Sequence, residues 1–484
     1  MREARYAVRK EVLWLIVASL ISFYWGLSSY ALLNNNEGLY AQIAWEMLQN
    51  KDFVIPTLNG VPYIEKPPML YWLLSLSYTI FGKSVWAARL IPTTFGCLTI
   101  LALVFFGHTL GRIRYGLLTG TLLATCLGFS VFSRMVFFDG VLTAFFTFAL
   151  LSFYLWDQRG EKKWLRFFYV FLACAILTKG LLSLCLAGLI CISFLLVKYR
   201  SFSKLFAVWD ILGFLLFLLI ALPWHVLAHF QQPDFSWFYF VNEHVMRFLD
   251  KRVPRDYYHG PFYYYLIRLP AYFMPWTFLL PFLGKTKALE YDQNPNKNLR
   301  LFLWLWALLT LLFFSISRAK ANYYMILGMP PLTLLIVEYW GCYKRFALLS
   351  KIAVLLSSTL LIAATLIAPS HNAEISAMDG ADFLKKQPIR EIYLYKRFEH
   401  LSSLIFYYGI PLPMVDSESA DLAFGEKTPA AEGRFLSFQT VIQNPSSKIF
   451  VVHSRDRKEF ETRCADFCQI LYKDKGLSLY VWRK

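Results

Sequence analysis

The feature that most restricts this chain is a succession of apolar stretches, each near the length needed to cross a hydrocarbon core. They fall at about 12–33, 86–108, 115–133, 139–156, 164–178, 181–197, 207–228, 262–284, 299–316, 322–341 and 346–368, eleven in all. Of 484 residues 57% are apolar and 17% charged, where soluble domains carry roughly 45–50% and about 25%. Disorder and ordinary soluble globularity are excluded, and the chain reads as a polytopic α-helical membrane protein. The first stretch follows Arg2, Arg5, Arg9 and Lys10 as in a signal peptide. It is too long for an h-region and lacks a small-x-small cleavage site, so an uncleaved anchor is expected.

The formal charge of +17 raises the question of nucleic acid, and the positions of the bases answer it. With the N-terminus inside, Arg112 and Arg114, Arg159, Lys162, Lys163 and Arg166, Lys198, Arg200 and Lys204, Lys285, Lys287, Lys297 and Arg300, and Lys344 and Arg345 all fall on cytoplasmic loops. This is the positive-inside pattern, and no nucleic-acid partner is implied. The opposite loops, at about 34–85, 134–138, 229–261 and 317–321, are long or rich in Trp, Tyr, His, Glu and isolated cations, and function is expected there. Residues 1–368 are expected to form the membrane domain, with exterior loops 34–85 and 229–261. Residues 369–484 are expected to form a small exterior α/β domain, with strand-like stretches at 391–395 and 448–453 and a helix-like one at 397–408. Cys464 and Cys468 lie in that domain; their spacing suits either a disulfide in an oxidising compartment or two positions one helical turn apart.

Asn34-Asn35-Asn36-Glu37 opens an amphipathic run to Leu48. Asn before a first-turn Glu is ordinary helix-start chemistry, yet a carboxylate at the water–lipid boundary also stands where a substrate with one greasy and one polar end must bind. Asn59-Gly60 between β-like residues predicts a tight hairpin, which aims Tyr63-Ile64-Glu65-Lys66-Pro67-Pro68. The two prolines stiffen the backbone behind the Glu-Lys pair. Asp139 opens the fourth span and Lys179 sits at the outer tip between the fifth and sixth, where each could also serve its helix end. Glu243 and Arg247 are four apart on one helix face, with His244 between them, and His259 opens the eighth span. Arg318 and Lys320 lie outside, against the orientation pattern, and an anionic headgroup is a reason for cations there. Tyr40, Tyr63, Tyr323 and Tyr324 suit a sugar or carrier lipid, or an interfacial belt. No CxxC pair or HExxH motif argues for a metal. Glu65 with His244 or His259 is the arrangement a divalent ion would use, and no ligand spacing supports it.

Taken in order along the chain, NNEGLYAQIAWEML at 35–48, LNGVPYIEKPPMLYW at 58–72, the 134–139 segment, LTKG at 177–180, EHVMRF at 243–248 and SRAKANYY at 317–324 resemble the membrane glycosyltransferases of the GT-C fold, family 39. That family groups protein O-mannosyltransferases with aminoarabinose lipid A transferases, and the resemblance covers about the first 340 residues. It implies a bacterial inner-membrane enzyme, without a required cofactor, that moves 4-amino-4-deoxy-L-arabinose or a hexose from undecaprenyl or another polyprenyl phosphate to a periplasmic lipid, glycan or protein acceptor, usually with inversion. Members often carry Asp-Glu where this chain has Asn36-Glu37, and that acid is regarded as catalytic. The departure leaves Glu37 and Asp139 as the catalytic candidates.

The chemistry points the same way. Displacing a lipid phosphate from an anomeric carbon builds negative charge on the leaving oxygen, so preorganised cations lower the barrier by about 3–4 kcal/mol for each strong contact. Lys66, Arg247, Arg318 and Lys320 are the candidates, and Asn36, Tyr40, Tyr63, Glu65, Lys179, His244, His259, Tyr323 and Tyr324 would line the substrate. A hydroxyl acceptor needs a proton acceptor, worth about 100- to 10,000-fold, whereas a phosphate acceptor is already ionised; Asn36 is easier to understand with the second. A flippase for a lipid-linked sugar is the chief competitor. Transporters place polar residues near the midplane and often show internal repeats, while here the charged motifs sit at exterior ends and no repeat is evident. A sensor or scaffold would instead leave the loop charges dispensable.

Overall fold

The computed structural model describes residues 13–14, 16–255, 259–283, 297–341, 344–464 and 467–483. Arg2, Arg5, Arg9, Lys10, Lys285 and Lys287, which carry part of the orientation reading, lie outside the described residues, as do the side chains of Lys344 and Arg345. The chain divides into two compact units, one of residues up to 25 and 90–363, the other of 26–89 and 364–484.

The first unit is the membrane unit, and the chain is a multi-pass membrane protein. Among the described residues six helices are long and apolar enough to cross a bilayer: Val85–Thr109, Phe138–Arg159, Leu181–Tyr199, Ile211–Gln231, Lys297–Ile316 and Leu348–Ile375. The helix Lys162–Lys179 matches a further expected span. Three others are interrupted, each for a local reason. The stretch at 115–133 is two helices, Ile113–Thr125 and Leu127–Phe132; Leu127 N–H turns away to the carbonyl of Met274 at 3.0 Å, and Thr119, Thr121 and Thr125 each bond back to the carbonyl four residues earlier, a pattern that bends helices. The stretch at 262–284 contains Pro270, Pro275 and Pro281 and becomes helix Tyr264–Tyr272 followed by a 3-10 segment, Trp276–Phe282. At 322–341 a 3-10 turn, Asn322–Gly328, precedes helix Met329–Trp340, whose first residues include Pro330 and Pro331. The core is aromatic: Phe302 meets Tyr154 and Phe194 at 5.2 Å between ring centroids. On the ends read as cytoplasmic, Asp157 holds Lys198 at 2.5 Å, Asp210 holds Arg166 at 3.1 Å and Glu338 holds Arg112 at 2.9 Å.

The second unit corrects the expected domain boundary at 368/369. The loop 34–85 belongs with the C-terminal residues. Its helix Glu37–Asn50 lies on the C-terminal helix Ser402–Tyr408. The two backbones are so close that a Cβ on Gly38 would stand 2.5 Å from Ser403 Cα. Asn34 Oδ1 accepts from Ser403 N–H and Oγ–H at 3.2 and 2.7 Å, and the side-chain amide of Asn59 exchanges hydrogen bonds with the backbone of Leu412 at 2.8 and 2.9 Å. The expected hairpin is present as β1 (Thr57–Leu58) and β2 (Val61–Pro62). Its central residues, Asn59 and Gly60, have φ of 52° and 79°, the left-handed pair that a tight hairpin turn demands. The C-terminal sheet contains β3 (Ile392–Tyr395), β4 (Met414–Val415), β5 (Phe435–Leu436), β6 (Lys448–His453), β7 (Cys468–Lys473) and β8 (Leu477–Trp482) in the order β5-β4-β3-β6-β8-β7. The strands β5, β4, β3 and β6 run parallel; β8 and β7 complete the sheet antiparallel. This is the small α/β domain expected, and a disulfide joins Cys464, at the end of helix Arg457–Cys464, to Cys468 at the start of β7.

The contact at Gly38 is testable. Gly38→Ala forces a methyl against the Ser403 backbone and is expected to cost about 1–3 kcal/mol by overpacking. Gly188→Ala, where a Cβ meets nothing within 4 Å, is expected to be neutral. Thermal unfolding of the two purified variants in detergent compares them, and equal melting temperatures contradict the docking of the helix.

Candidate active site

Glu37 and Arg89 form a fully buried ion pair, each 0% exposed. Arg89 lies in the first turns of helix Val85–Thr109. Its Nε donates to Glu37 Oε1 at 2.9 Å and one terminal nitrogen to Oε2 at 2.6 Å. The remaining N–H groups go to the carbonyls of Leu27, Tyr30 and Ala31 at 2.9, 2.9 and 3.0 Å, and the guanidinium stacks on the Tyr30 ring at 3.8 Å. Glu37 Oε2 also accepts from Leu33 N–H at 3.2 Å. Bidentate arginine–carboxylate geometry of this kind fixes the orientation of the acid, so Glu37 stands as the anchor of the loop. Arg89 escaped the sequence reading because it falls inside an apolar stretch; an arginine in such a place is itself a signal that an acid partner is near. Asn36 occupies the N-cap position with no side-chain cap hydrogen bond.

In the same unit the stiff Glu-Lys segment follows the hairpin. Glu65 is buried and accepts from the Tyr63 hydroxyl at 3.3 Å. Lys66 Nζ lies 4.0 Å from Glu65 Oε2 and donates to the Glu65 carbonyl at 3.3 Å. Tyr40 and Tyr71 pack at 6.3 Å between centroids. Burial raises the Tyr63 phenol well above its ordinary pKa, and the charges of Glu65 and of Asp421 add to this. Asp421 comes from the C-terminal domain, where its N–H donates to Glu399 Oε1 at 3.0 Å; no motif in the tail marked it.

The membrane unit holds the second group. Asp139, 2% exposed, opens helix Phe138–Arg159 and pairs with Lys179 at 2.5 Å. Lys179 ends helix Lys162–Lys179, and its ammonium lies over the rings of Tyr324 and Tyr323 at 3.9 and 5.7 Å. The chain then turns at Gly180, with φ of 72°, where a Cβ would stand 2.0 Å from His244 Nε2. His244 Nε2 accepts from Leu181 N–H at 3.1 Å and its Nδ1 meets the Tyr239 carbonyl at 2.6 Å, which makes the ring a neutral brace for this turn. The helix at 237–246 is a π-helix, Trp237–Met246; within it Glu243 pairs with Arg247 at 3.0 Å and also with Arg252. His259 pairs with Asp250 at 3.1 Å and bridges through its backbone to Ala319, which brings it beside Arg318 and Lys320.

Those two cations differ. Arg318 is exposed, and among the described residues no acid pairs with it. Lys320 is 1% exposed and donates to the carbonyls of Phe314 and Ser315 at 2.8 Å each, and to that of Ser317. It caps the C-terminus of helix Lys297–Ile316. Burial pushes it down to about 8, which leaves it protonated at neutral pH as three acceptors require. The structure therefore gives Lys320 a helix end to hold in place of the phosphate expected of it. Among the described residues no group of three or more His, Cys, Asp or Glu side chains is arranged to hold a metal ion.

Replacing Glu37 by Gln leaves the Arg89 charge buried without its counter-ion, a change that costs about 3–5 kcal/mol. Glu37→Gln is expected to melt well below wild type, and the double variant Glu37→Leu with Arg89→Met to recover much of the difference. Fluorescence-detected gel filtration after heating reads both.

Residues 12–239 match the family described as dolichyl-phosphate-mannose-protein mannosyltransferase. Relatives named undecaprenyl phosphate-alpha-4-amino-4-deoxy-L-arabinose arabinosyl transferase include one from Shewanella sediminis, 30% identical over 318 residues that cover 63% of this chain and 55% of the relative. Another, from Serratia proteamaculans, is 31% identical and covers 65% and 56%. The chain thus matches little more than half the length of these relatives. The crystal structure of ArnT from Cupriavidus metallidurans bound to undecaprenyl phosphate superposes with a TM-score of 0.81 over 97% of both chains at 22% identity. The sequence similarity lies in part of the chain and the shared fold extends over nearly all of it, and both likenesses are to glycosyltransferases of the kind that the loop motifs resemble.

Proposed function

We propose that this chain is a membrane glycosyltransferase that moves a sugar from undecaprenyl phosphate to an acceptor such as lipid A at the periplasmic face of the bacterial inner membrane. The observation that carries the reading is the Asp139–Lys179 pair, an acid and a base buried together under two tyrosine rings at the ends of apolar helices. Charge kept at such a boundary is costly unless it serves chemistry or placement. The names of the relatives support 4-amino-4-deoxy-L-arabinose as the sugar, and the match over 12–239 supports a lipid-phosphate donor.

In the reaction an acceptor oxygen attacks the anomeric carbon, the bond from that carbon to the phosphate oxygen breaks, and its electron pair leaves with the phosphate. In the membrane unit Asp139 takes the proton of a hydroxyl acceptor, or orients an ionised phosphate acceptor, and Lys179 holds it in place. Arg247 and Arg318 supply positive charge for the leaving phosphate, with Tyr323 and Tyr324 against the sugar or carrier. In the other unit Lys66, fixed between Glu65 and Pro67, is the phosphate ligand, while Tyr40, Tyr63 and Glu65 contact substrate. Glu37 acts through position rather than as the base, because Arg89 occupies both its oxygens.

The test is transfer from radiolabelled undecaprenyl-phosphate sugar to a crude envelope fraction by the purified protein. Asp139→Asn is expected to lower transfer to a hydroxyl by roughly 100-fold or more, and Lys66→Ala by about 100- to 1,000-fold. Glu37→Gln is expected to lose activity in proportion to its folded fraction. Undiminished labelling in all three rejects the assignment, and movement of donor across the bilayer without a new glycosidic bond supports a flippase. The description of the matched family as protein mannosyltransferases favours a second reading, protein O-glycosylation; label in the protein rather than the lipid fraction selects it.

A further inference from the structure

The C-terminal sheet contains a topological switch. From β3 the chain passes to β4 and then β5 on one side, whereas β6 pairs with β3 on the other side and leads on to β7 and β8. Chain segments leaving the carboxyl ends of β3 and β6 therefore diverge, and in open α/β sheets such a divergence opens a ligand crevice. Here the segments that leave the two strands carry bases. After β3 come Arg397 and His400; after β6, whose last residue is His453, comes Arg455, followed by helix Arg457–Cys464.

The two histidines stack across the switch, with ring centroids 4.7 Å apart. Arg455 donates from its guanidinium to His400 Nε2 at 3.5 Å and from its backbone N–H to His453 Nδ1 at 3.3 Å. Both of those nitrogens must be acceptors, so the ring protons sit on His400 Nδ1 and His453 Nε2. Among the described residues neither N–H has a hydrogen-bond partner. Both rings are half-buried, and burial first, then the charges of Arg455 and Arg397, pushes His400 down to about 4, while burial followed by His400, Arg455, Arg457 and Arg397 does the same to His453. The other charges facing the pair are accounted for: Arg397 pairs with Glu418 at 3.2 Å, and Arg457 donates to the carbonyls of Leu477, at 2.6 Å, and Asp474. Asp456 is buried, with one carboxylate oxygen unpartnered among the described residues.

We propose that this crevice is a second ligand site, for a phosphate monoester, in which Arg455 and Arg397 meet the charge and the His400 Nδ1–H and His453 Nε2–H donate to phosphate oxygens. The phosphate comes either from a soluble sugar phosphate or from a phosphorylated lipid headgroup, which present the same chemistry. The site does not depend on the transfer reaction proposed above.

The experiment uses the full chain in phosphatidylcholine nanodiscs. In one arm inorganic phosphate and glucosamine 1-phosphate are titrated calorimetrically; in the other, monophosphoryl lipid A is added and bound lipid is counted by native mass spectrometry. Loss of a charge-assisted contact predicts that Arg455→Gln weakens binding roughly tenfold or more, with Arg455→Lys retaining most of it and His453→Ala, in which the ring donor is gone, intermediate. Arg455 is exposed, so its variants test the site without burdening the fold. Arg455-dependent binding in the soluble arm assigns a free phosphate, and in the lipid arm alone a headgroup; both uphold the site. Binding absent from both arms, or equal in wild type, Arg455→Gln and His453→Ala, overturns it.

Discussion

A guanidinium removed from water must find an acceptor for every N–H and a counter-charge, and Arg89 organises its unit through that requirement. Five N–H groups are met by one carboxylate and three backbone carbonyls. Those carbonyls belong to residues 27–31, at the end of the first apolar stretch, so the exit of one helix is tied to the start of another through Glu37. An ion pair of this kind adds little net stability over a well-packed apolar pair, because desolvation offsets the Coulomb attraction. What it supplies is a single geometry. Helix Glu37–Asn50 begins at the paired carboxylate, and its Glu46 accepts from Asn59 and Gly60 N–H at 2.9 and 3.0 Å. The hairpin turn is thereby held, and the Glu65-Lys66 segment follows from it with two prolines behind.

The same rule governs the membrane unit on a wider scale. Acids there are matched to bases, at Asp139 with Lys179 and at Asp157, Asp210 and Glu338 toward the opposite ends. Charges at helix ends remain within reach of the interface, whereas at the midplane each would bear a far larger desolvation cost. A buried acid–base pair can trade hydrogen bonds with a bound molecule without creating a bare charge at any stage, which is compatible with the transfer proposed above.

The C-terminal domain takes part in shaping the loop 34–85. Ser403 and Leu412 receive Asn34 and Asn59, Asn35 N–H reaches the Glu399 carbonyl at 2.9 Å, and Glu399 holds the backbone N–H of Asp421, whose charge is felt at Tyr63. Its parallel strands also create the switch point with its stacked histidines. A tail that reads as an appended module is thus joined to the loop motifs by a set of side-chain-to-backbone hydrogen bonds. Such bonds have no periodicity and leave no trace in hydropathy.

Much of this protein was legible in the chain itself. Apolar length marked the membrane helices, because bilayer thickness imposes it; Asn59-Gly60 announced a hairpin, because few residues adopt a left-handed turn; the β-branched and aromatic residues at 448–453 announced a strand. The candidate residues could be chosen by type and by side of the membrane. Their partners could not, since pairing is a property of distance in space: Arg89 for Glu37, 52 positions away, Lys179 for Asp139, 40 positions away, and helix-end carbonyls for Lys320. Where spans break was half visible, in the prolines at 270, 275, 330 and 331 but not at Leu127, where the Met274 carbonyl takes the N–H. Sequence by itself determined that this chain spans a membrane and which of its loops carry charge; only the tertiary structure decided which charges are spent on holding the fold, because burial and hydrogen bonding are set by neighbours the sequence does not list in order.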